Sequence, residues 1–204
     1  SIPVNLDDVL SNATLLSHLD QYLQNYPIQG DLWIFAYGSL MWHPEITICE
    51  QRRSILFGYH RSFSLLSVVH RGTPEKPGLV LGLEPGGKCE GMIFRISAEQ
   101  VIEQLQVLWL REMVTLFYKP VVCSVQTTQG KVNALTFVTN TKHPLYASFG
   151  PETSAHMIAT ARGKKGSNID YFCHTNRCLQ ELGIQEPVFH QLQTLIDKIT
   201  TGES

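Results

Sequence analysis

The sequence predicts an α+β fold in which an antiparallel or mixed sheet curls toward a barrel. Three observations point there. Short β-rich runs recur through residues 32–96 and 120–139, a single helical stretch separates them, and the chain beyond Pro144 turns helical. That order, strands, one helix, strands, then helices, is the α+β pattern rather than a regular βαβ alternation. With 204 residues and 43% hydrophobic content, the chain suits one globular core, with room for a helical appendage.

The elements follow in order. Residues 5–25 carry Leu15, Leu19, Tyr22 and Leu23 at helical spacing, and Pro27 and Gly30 end the pattern. This predicts an amphipathic N-terminal extension over 1–30 ahead of a main domain over 31–200, with its helix laid on the core. Leu32 to Ala36 is a short apolar run between turn residues, a buried strand. Residues 53–66 place Ile55, Phe57, Tyr59, Arg61, Phe63 and Leu65 on one parity, which predicts a long two-sided strand or a bent pair. Gly72 to Gly78 is a loop. Leu79–Leu83 and Met92–Ile96 read as strands joined by a turn at Glu84-Pro85-Gly86-Gly87. Ser97 and Gln100 form a capping-box pattern for a helix running to Val114. Residues 120–128 and 131–139 read as a hairpin about Gly130. Pro151, Asn168 and Pro187 mark helix starts, and Gly183 marks a stop.

Charge and cysteine content exclude several function classes. Net charge is -2 and the densest basic run, Arg162-Gly163-Lys164-Lys165, is short and set among glycines, so nucleic acid is not the expected partner. Five cysteines without a C-x-x-C pair predict reduced thiols and a cytoplasmic location. Asn12-Ala13-Thr14 matches a glycosylation sequon that has no use without secretion. No apolar run approaches the roughly 18 residues of a membrane span, and the acidic start with Asp7 and Asp8 is unlike a signal peptide. The eight histidines are scattered, and P-loop, G-x-G-x-x-G and H-E-x-x-H motifs are absent. The expectation is therefore no metal and no cofactor; the oligomeric state is not legible in these residues, and a monomer is favoured.

Glu112 is the residue out of place. Val101, Leu105 and Leu108 lie at i, i+4 and i+7 of one helix face, and i+11 is Glu112. The surrounding residues are apolar nearly all round, so a carboxylate is carried on an inward face. Burial pushes a carboxyl pKa up, toward the range of a general acid/base. The alternative is a structural ion pair with a buried arginine. Arg111 is adjacent but i,i+1 side chains point apart, which leaves Arg71 as the candidate.

Three further segments carry chemistry. In Tyr37-Gly38-Ser39-Leu40, straight after a strand, Gly38 permits a tight turn, and backbone N–H groups with the Ser39 hydroxyl form a nest for an anion. In His70-Arg71-Gly72-Thr73-Pro74, Arg71 offers a planar fork for a carboxylate, or is a surface residue. In Gly166-Ser167-Asn168-Ile169-Asp170-Tyr171, Asn168 caps a helix and Tyr171 joins the core, or both face a ligand.

Taken together, Trp33-Ile34-Phe35-Ala36-Tyr37-Gly38-Ser39-Leu40-Met41-Trp42, His70-Arg71-Gly72-Thr73-Pro74-Glu75-Lys76-Pro77-Gly78, Trp109-Leu110-Arg111-Glu112-Met113 and Gly166–Tyr171 resemble, in order, the motifs of the ChaC family, the glutathione-specific γ-glutamylcyclotransferases, and of its bacterial branch in particular. The resemblance implies a γ-glutamylcyclotransferase-like fold, a small curled mixed sheet or barrel with surrounding helices. It implies that glutathione is cut to 5-oxoproline and cysteinylglycine, that Glu112 is catalytic, and that Ile34, Phe35, Ala36, Tyr37, Gly38 and Ser39 form the substrate-binding loop; Leu40 completes the turn, and Arg71 and Tyr171, in the matching segments, are read as further binding residues. Ala36 departs from the glycine usual in the family. Two alternatives stay open: a cyclotransferase for other γ-glutamyl amino acids or amines, and a non-catalytic binding protein on the same scaffold.

Overall fold

A computed structural model describes residues 10–202. Its elements are α1 (Asn12–Asn25), β1 (Leu32–Ala36), a four-residue α2 (Ser39–Trp42), β2 (Glu50–Ser67), β3 (Gly78–Ile96), a 3₁₀ turn (Ala98–Gln100), α3 (Val101–Glu112), β4 (Tyr118–Thr127), β5 (Gly130–Thr139), α4 (Pro151–Thr160), β6 (Arg162–Gly163), β7 (Gly166–Ser167), α5 (Asn168–Glu181) and α6 (Pro187–Thr201). Five strands close into a barrel in the order β1-β3-β2-β4-β5, and β6 with β7 makes a separate ribbon. The sheet is mixed, because β1 runs antiparallel to β3 and parallel to β5. The α+β class and the curled sheet are as the sequence predicts. Within the described residues the chain forms two compact units: a barrel unit of 10–60 and 83–140, and a helical unit of 61–82 and 141–202.

In the barrel unit, β1 is buried over Ile34, Phe35 and Ala36 because its apolar run is laddered on both sides. The β4–β5 hairpin turns at Gly130, whose φ of +105° suits a residue without a Cβ. Helix α1 buries Leu15 and Leu19 and packs on α3, so the N-terminal helix does cover core, as expected. The expected start of that helix at residue 5 lies outside the described residues. Trp109 is fully buried and its indole Nε1 donates to His18 Nδ1 at 3.1 Å, while the Tyr22 ring lies 5.0 Å away. In the same unit, Arg95 bonds Asp31 (2.6 Å) and Glu50 (2.9 Å). Hydrogen bonds from Arg95 and the Ala98 N–H hold Asp31 below the usual carboxylate range, and those from Arg52 and Arg95 do the same for Glu50.

The helical unit is organised by aromatic stacking. Phe172 lies 5.0 Å from Phe189, and Phe63 lies 5.2 Å from Phe189. The Arg61 side chain is fully buried and pairs with Glu186. Helices α4 and α6 start on Pro151 and Pro187, which donate no N–H where none is needed.

Two expectations fail here. The segment 84–91 is not a hairpin turn: β3 runs unbroken over 19 residues. Met92–Ile96 pairs with β1 rather than folding back on Leu79–Leu83. Gly86 and Gly87 have φ of +106° and +70°, but they bend an exposed stretch instead of reversing it, and His60 Nδ1 hydrogen-bonds the Gly86 carbonyl at 3.0 Å. The capping box at Ser97 does not form. Ser97 has the extended dihedrals of a cap but makes no side-chain cap bond: the Gln100 N–H donates to the Ser97 carbonyl at 2.9 Å instead, and Asp31 Oδ1 accepts from the Ala98 N–H at 2.9 Å.

Candidate functional site

The candidate site of the barrel unit is built where β1 ends. Ile34, Phe35 and Ala36 are within the strand, with no exposed surface, and their positions are fixed by the ladder and by the Thr136 hydroxyl donating to the Phe35 carbonyl at 3.1 Å. Tyr37 leaves the ladder and its hydroxyl donates to the Phe137 carbonyl at 2.7 Å. Gly38 then caps α2, and the Met41 N–H donates to the Gly38 carbonyl at 2.9 Å. In a helix this short, the N–H groups of Ser39 and Leu40 have no intrahelical partner. The Leu40 side chain is buried and anchors it.

Glu112 is the last residue of α3. Val101, Leu105 and Leu108 on the same face are buried, and the Glu112 side chain is 14% exposed. Against the expectation that adjacent side chains point apart, Arg111 pairs with it: Arg111 Nε lies 3.1 Å from Glu112 Oε1. The i,i+1 rule concerns Cβ directions along a continuing helix. Here the helix ends, and the long arginine arm curls over its end because other acceptors draw it there. Arg111 Nη2 donates to Ser39 Oγ at 2.9 Å, and Nη1 donates to the His43 carbonyl and lies 3.7 Å from Glu45 Oε2. Arg111 thus joins the turn to the carboxylate. The i,i+1 spacing argues against this pair, and the structure corrects that expectation. The signal available was a cation directly before an inward carboxylate, where a buried negative charge needs one.

Arg71 and Tyr171 belong to the helical unit. Arg71 Nη1 donates to the Ser167 carbonyl at 3.2 Å, and its guanidinium lies 5.7 Å from the Tyr171 ring centroid. Burial lowers the Arg71 pKa from its ordinary value. Burial, then Lys165, Arg71 and Lys164, lower that of His70. The segment 70–78 is closed tightly on itself: a Cβ on Gly72 would overlap the Gly78 nitrogen and come within 2.5 Å of the Ser67 carbonyl oxygen. The cap of α5 is Ser167, whose hydroxyl accepts from the Asp170 N–H at 3.1 Å, rather than Asn168. Asn168 is fully buried and acts as a strand partner, bonding both the N–H and the carbonyl of Leu79 at 2.8 Å. The Tyr171 hydroxyl accepts from the Leu81 N–H at 3.1 Å. Among the described residues no cluster of His, Cys, Asp and Glu has the makings of a metal site, and no helix is long and apolar enough to cross a membrane.

Comparison with known proteins meets this geometry. A family model described as ChaC-like protein matches residues 32–201. The chain is 37% identical over 175 residues to the glutathione-specific gamma-glutamylcyclotransferase of Escherichia coli K12, covering 85% of this chain and 76% of that protein. It is 33% identical over 181 residues to the enzyme of the same name from Schizosaccharomyces pombe, covering 79% and 89%. Among solved structures, a gamma-glutamyl cyclotransferase specific to glutathione from yeast matches with a TM-score of 0.74 at 20% identity, covering 85% of this chain and 97% of that one, a likeness of fold. The family match and the two sequence relatives together establish that this chain belongs to the ChaC family.

Proposed function

We propose that this chain is a γ-glutamylcyclotransferase that cuts glutathione into 5-oxoproline and cysteinylglycine. The observation that carries the reading is the carboxylate at the end of α3, tied through one arginine to the turn after β1, in a chain whose relatives are named for that reaction.

The reaction needs no outside nucleophile. The α-amine of the substrate attacks its own γ-carbonyl and closes a five-membered ring, so holding the γ-glutamyl arm folded supplies much of the rate. The ammonium first gives a proton to the Glu112 carboxylate. The new N–C bond forms and the carbonyl becomes an oxyanion. As the bond to the cysteinyl nitrogen breaks, Glu112 returns the proton to that leaving amine, and the ring nitrogen, which still carries two hydrogens, releases one to solvent to leave the neutral lactam. One carboxylate serves as base and then as acid. Pairing with Arg111 favours its ionised form, the one that accepts the first proton.

In this reading Ile34 to Leu40 form the substrate segment. Ile34, Phe35 and Ala36 set its position from within the strand, and Tyr37, Gly38, Ser39 and Leu40 present backbone N–H groups to the α-carboxylate or the developing oxyanion. The Ser39 oxygen accepts from Arg111, which leaves its O–H for a second partner. Arg71 meets a substrate carboxylate and Tyr171 lines the substrate cavity, both assigned by resemblance. Residues 31–200 form the catalytic domain and 1–30 an extension to it, a division supported by the span of the family match. The enzyme works as a monomer in the cytoplasm, without metal, cofactor, nucleic acid or membrane. Five free cysteines support a reducing compartment.

The test is product release from reduced glutathione, with γ-glutamyl-alanine beside it and EDTA in a parallel reaction. The expected result is equal amounts of 5-oxoproline and cysteinylglycine, little turnover of γ-glutamyl-alanine, and no effect of EDTA. Preferred turnover of γ-glutamyl-alanine would transfer the reading to other γ-glutamyl substrates.

A further inference from the structure

We infer that Arg111 is the positioning residue of the site, a single guanidinium that fixes the Glu112 carboxylate and the substrate turn as one rigid piece. The inference rests on the reading of Glu112 as the proton-transfer group, and it goes further by assigning a task to a residue that does not itself react.

The geometry uses each arm of the guanidinium. Nε meets Glu112 Oε1 at 3.1 Å, and Nη2 donates to Ser39 Oγ at 2.9 Å. Nη1 donates to the His43 carbonyl and lies 3.7 Å from Glu45 Oε2. Ser39 is the first residue of α2 and His43 is its C-cap, so Arg111 grips both ends of a four-residue helix. A helix of that length has no stability of its own, so its shape must come from outside. Beyond it, Glu45 has a φ of +56°, which a side-chain-bearing residue rarely adopts, and its carboxylate pairs with His43. The strained link is thus held by the same cluster. The Arg111 side chain is 14% exposed, so its contacts with Glu112 and Ser39 are largely shielded from water, while those with His43 and Glu45 lie at the surface.

Two consequences follow for the chemistry. A guanidinium 3.1 Å from Oε1 disfavours a proton on that oxygen, so Arg111 biases where Glu112 carries its proton. A fork of fixed shape also fixes the distance between the carboxylate and the turn that holds the substrate. Lysine has the charge but not the fork. The charged groups around the guanidinium are Glu112 on α3 and Glu45 after α2, with His43 bound to Glu45.

The experiment measures kcat and KM for glutathione across pH in the full chain, comparing wild type with Arg111→Lys, Arg111→Gln and Ser39→Ala. Arg111→Lys is expected to lower kcat about 10–100-fold, the usual cost of losing an orienting partner, with the acid limb of the kcat profile unmoved. Arg111→Gln removes the charge as well, so its limb moves toward neutral pH. Ser39→Ala removes one arm of the grip, lowers kcat less, and keeps the limb. A purely structural arginine would lower the folded fraction and leave the limb where it is in every variant. Folded Arg111 variants with wild-type kcat and limb overturn the inference while the function stands. A wild type silent on glutathione overturns the function instead. If Arg111→Gln does not fold, Arg111→Lys decides: a folded Lys variant with unchanged kcat overturns the inference.

Discussion

Glu112→Gln separates catalysis from folding at one residue. The amide keeps the shape of the side chain and an oxygen to accept from Arg111, but it cannot carry a proton between two amines. Turnover of glutathione should fall by about 10²–10⁴-fold, the contribution of a general acid/base, while the thermal midpoint stays near that of the wild type. Product assays beside a thermal melt check both halves, and a folded Gln variant with full activity would remove Glu112 from the mechanism. Gly72→Ala should behave in the opposite way. The added Cβ overlaps backbone of Gly78 and Ser67 rather than the end of a flexible side chain. Destabilisation of about 1–3 kcal/mol is expected in chemical denaturation, against a smaller loss for Gly30→Ala, where only the positive φ of +76° resists the change and nothing lies within 4 Å. At this scale the sequence revealed Glu112, because periodicity alone marks a carboxylate on an apolar face. It hid Arg111, because spacing rules describe where a side chain starts and not where a six-atom arm ends.

Elements whose ends are set by backbone chemistry were legible. The strand Leu32–Ala36, the helix starts at Pro151, Asn168 and Pro187 and the hairpin about Gly130 all stand where their local residues put them. The continuous β3 was not legible, because Pro85, Gly86 and Gly87 have the composition of a reversal and only the long neighbouring strand β2 decides for a bend. The same strand shows why Asn168 does not cap α5. Leu79 and Leu81 need hydrogen-bond partners, and Asn168 and Tyr171 supply them from a helix. Asn168 therefore imitates a peptide group, which no capping rule anticipates. Asn168→Ala should strand both polar groups of Leu79 in a buried place and cost about 3 kcal/mol, from penalties of about 1–3 kcal/mol per orphaned group. Urea titration should show a lower midpoint with an unchanged slope; a variant as stable as wild type would mean that the strand finds other partners.

Across the whole molecule, acid acts on the two units at different pH. His70, in the helical unit, is disfavoured as a cation by burial, then by Lys165, Arg71 and Lys164. Its folded pKa therefore lies below the unfolded value of about 6.5. Between those two values the unfolded chain binds a proton that the folded chain refuses, so stability falls as pH drops below about 6.5. Asp31 and Glu50, in the barrel unit, are also lowered, through hydrogen bonds from Arg95, Arg52 and the Ala98 N–H. Their contribution is intact above the ordinary carboxylate range of about 4 and is lost only as pH falls through it. Both shifts have the same sign, but their windows differ by about two pH units. Hydrogen exchange corrected for intrinsic rates should therefore show, between pH 7.5 and 5.5, loss of protection at the Lys164 and Lys165 amides, which donate to the Val69 and His70 carbonyls. Over the same range the amides of β1 should keep theirs. His70→Gln should abolish the first change, because its amide carries no titrating proton. Equal loss of protection in both units by pH 5.5 would show that the crowding of cations around His70 does not govern the acid response.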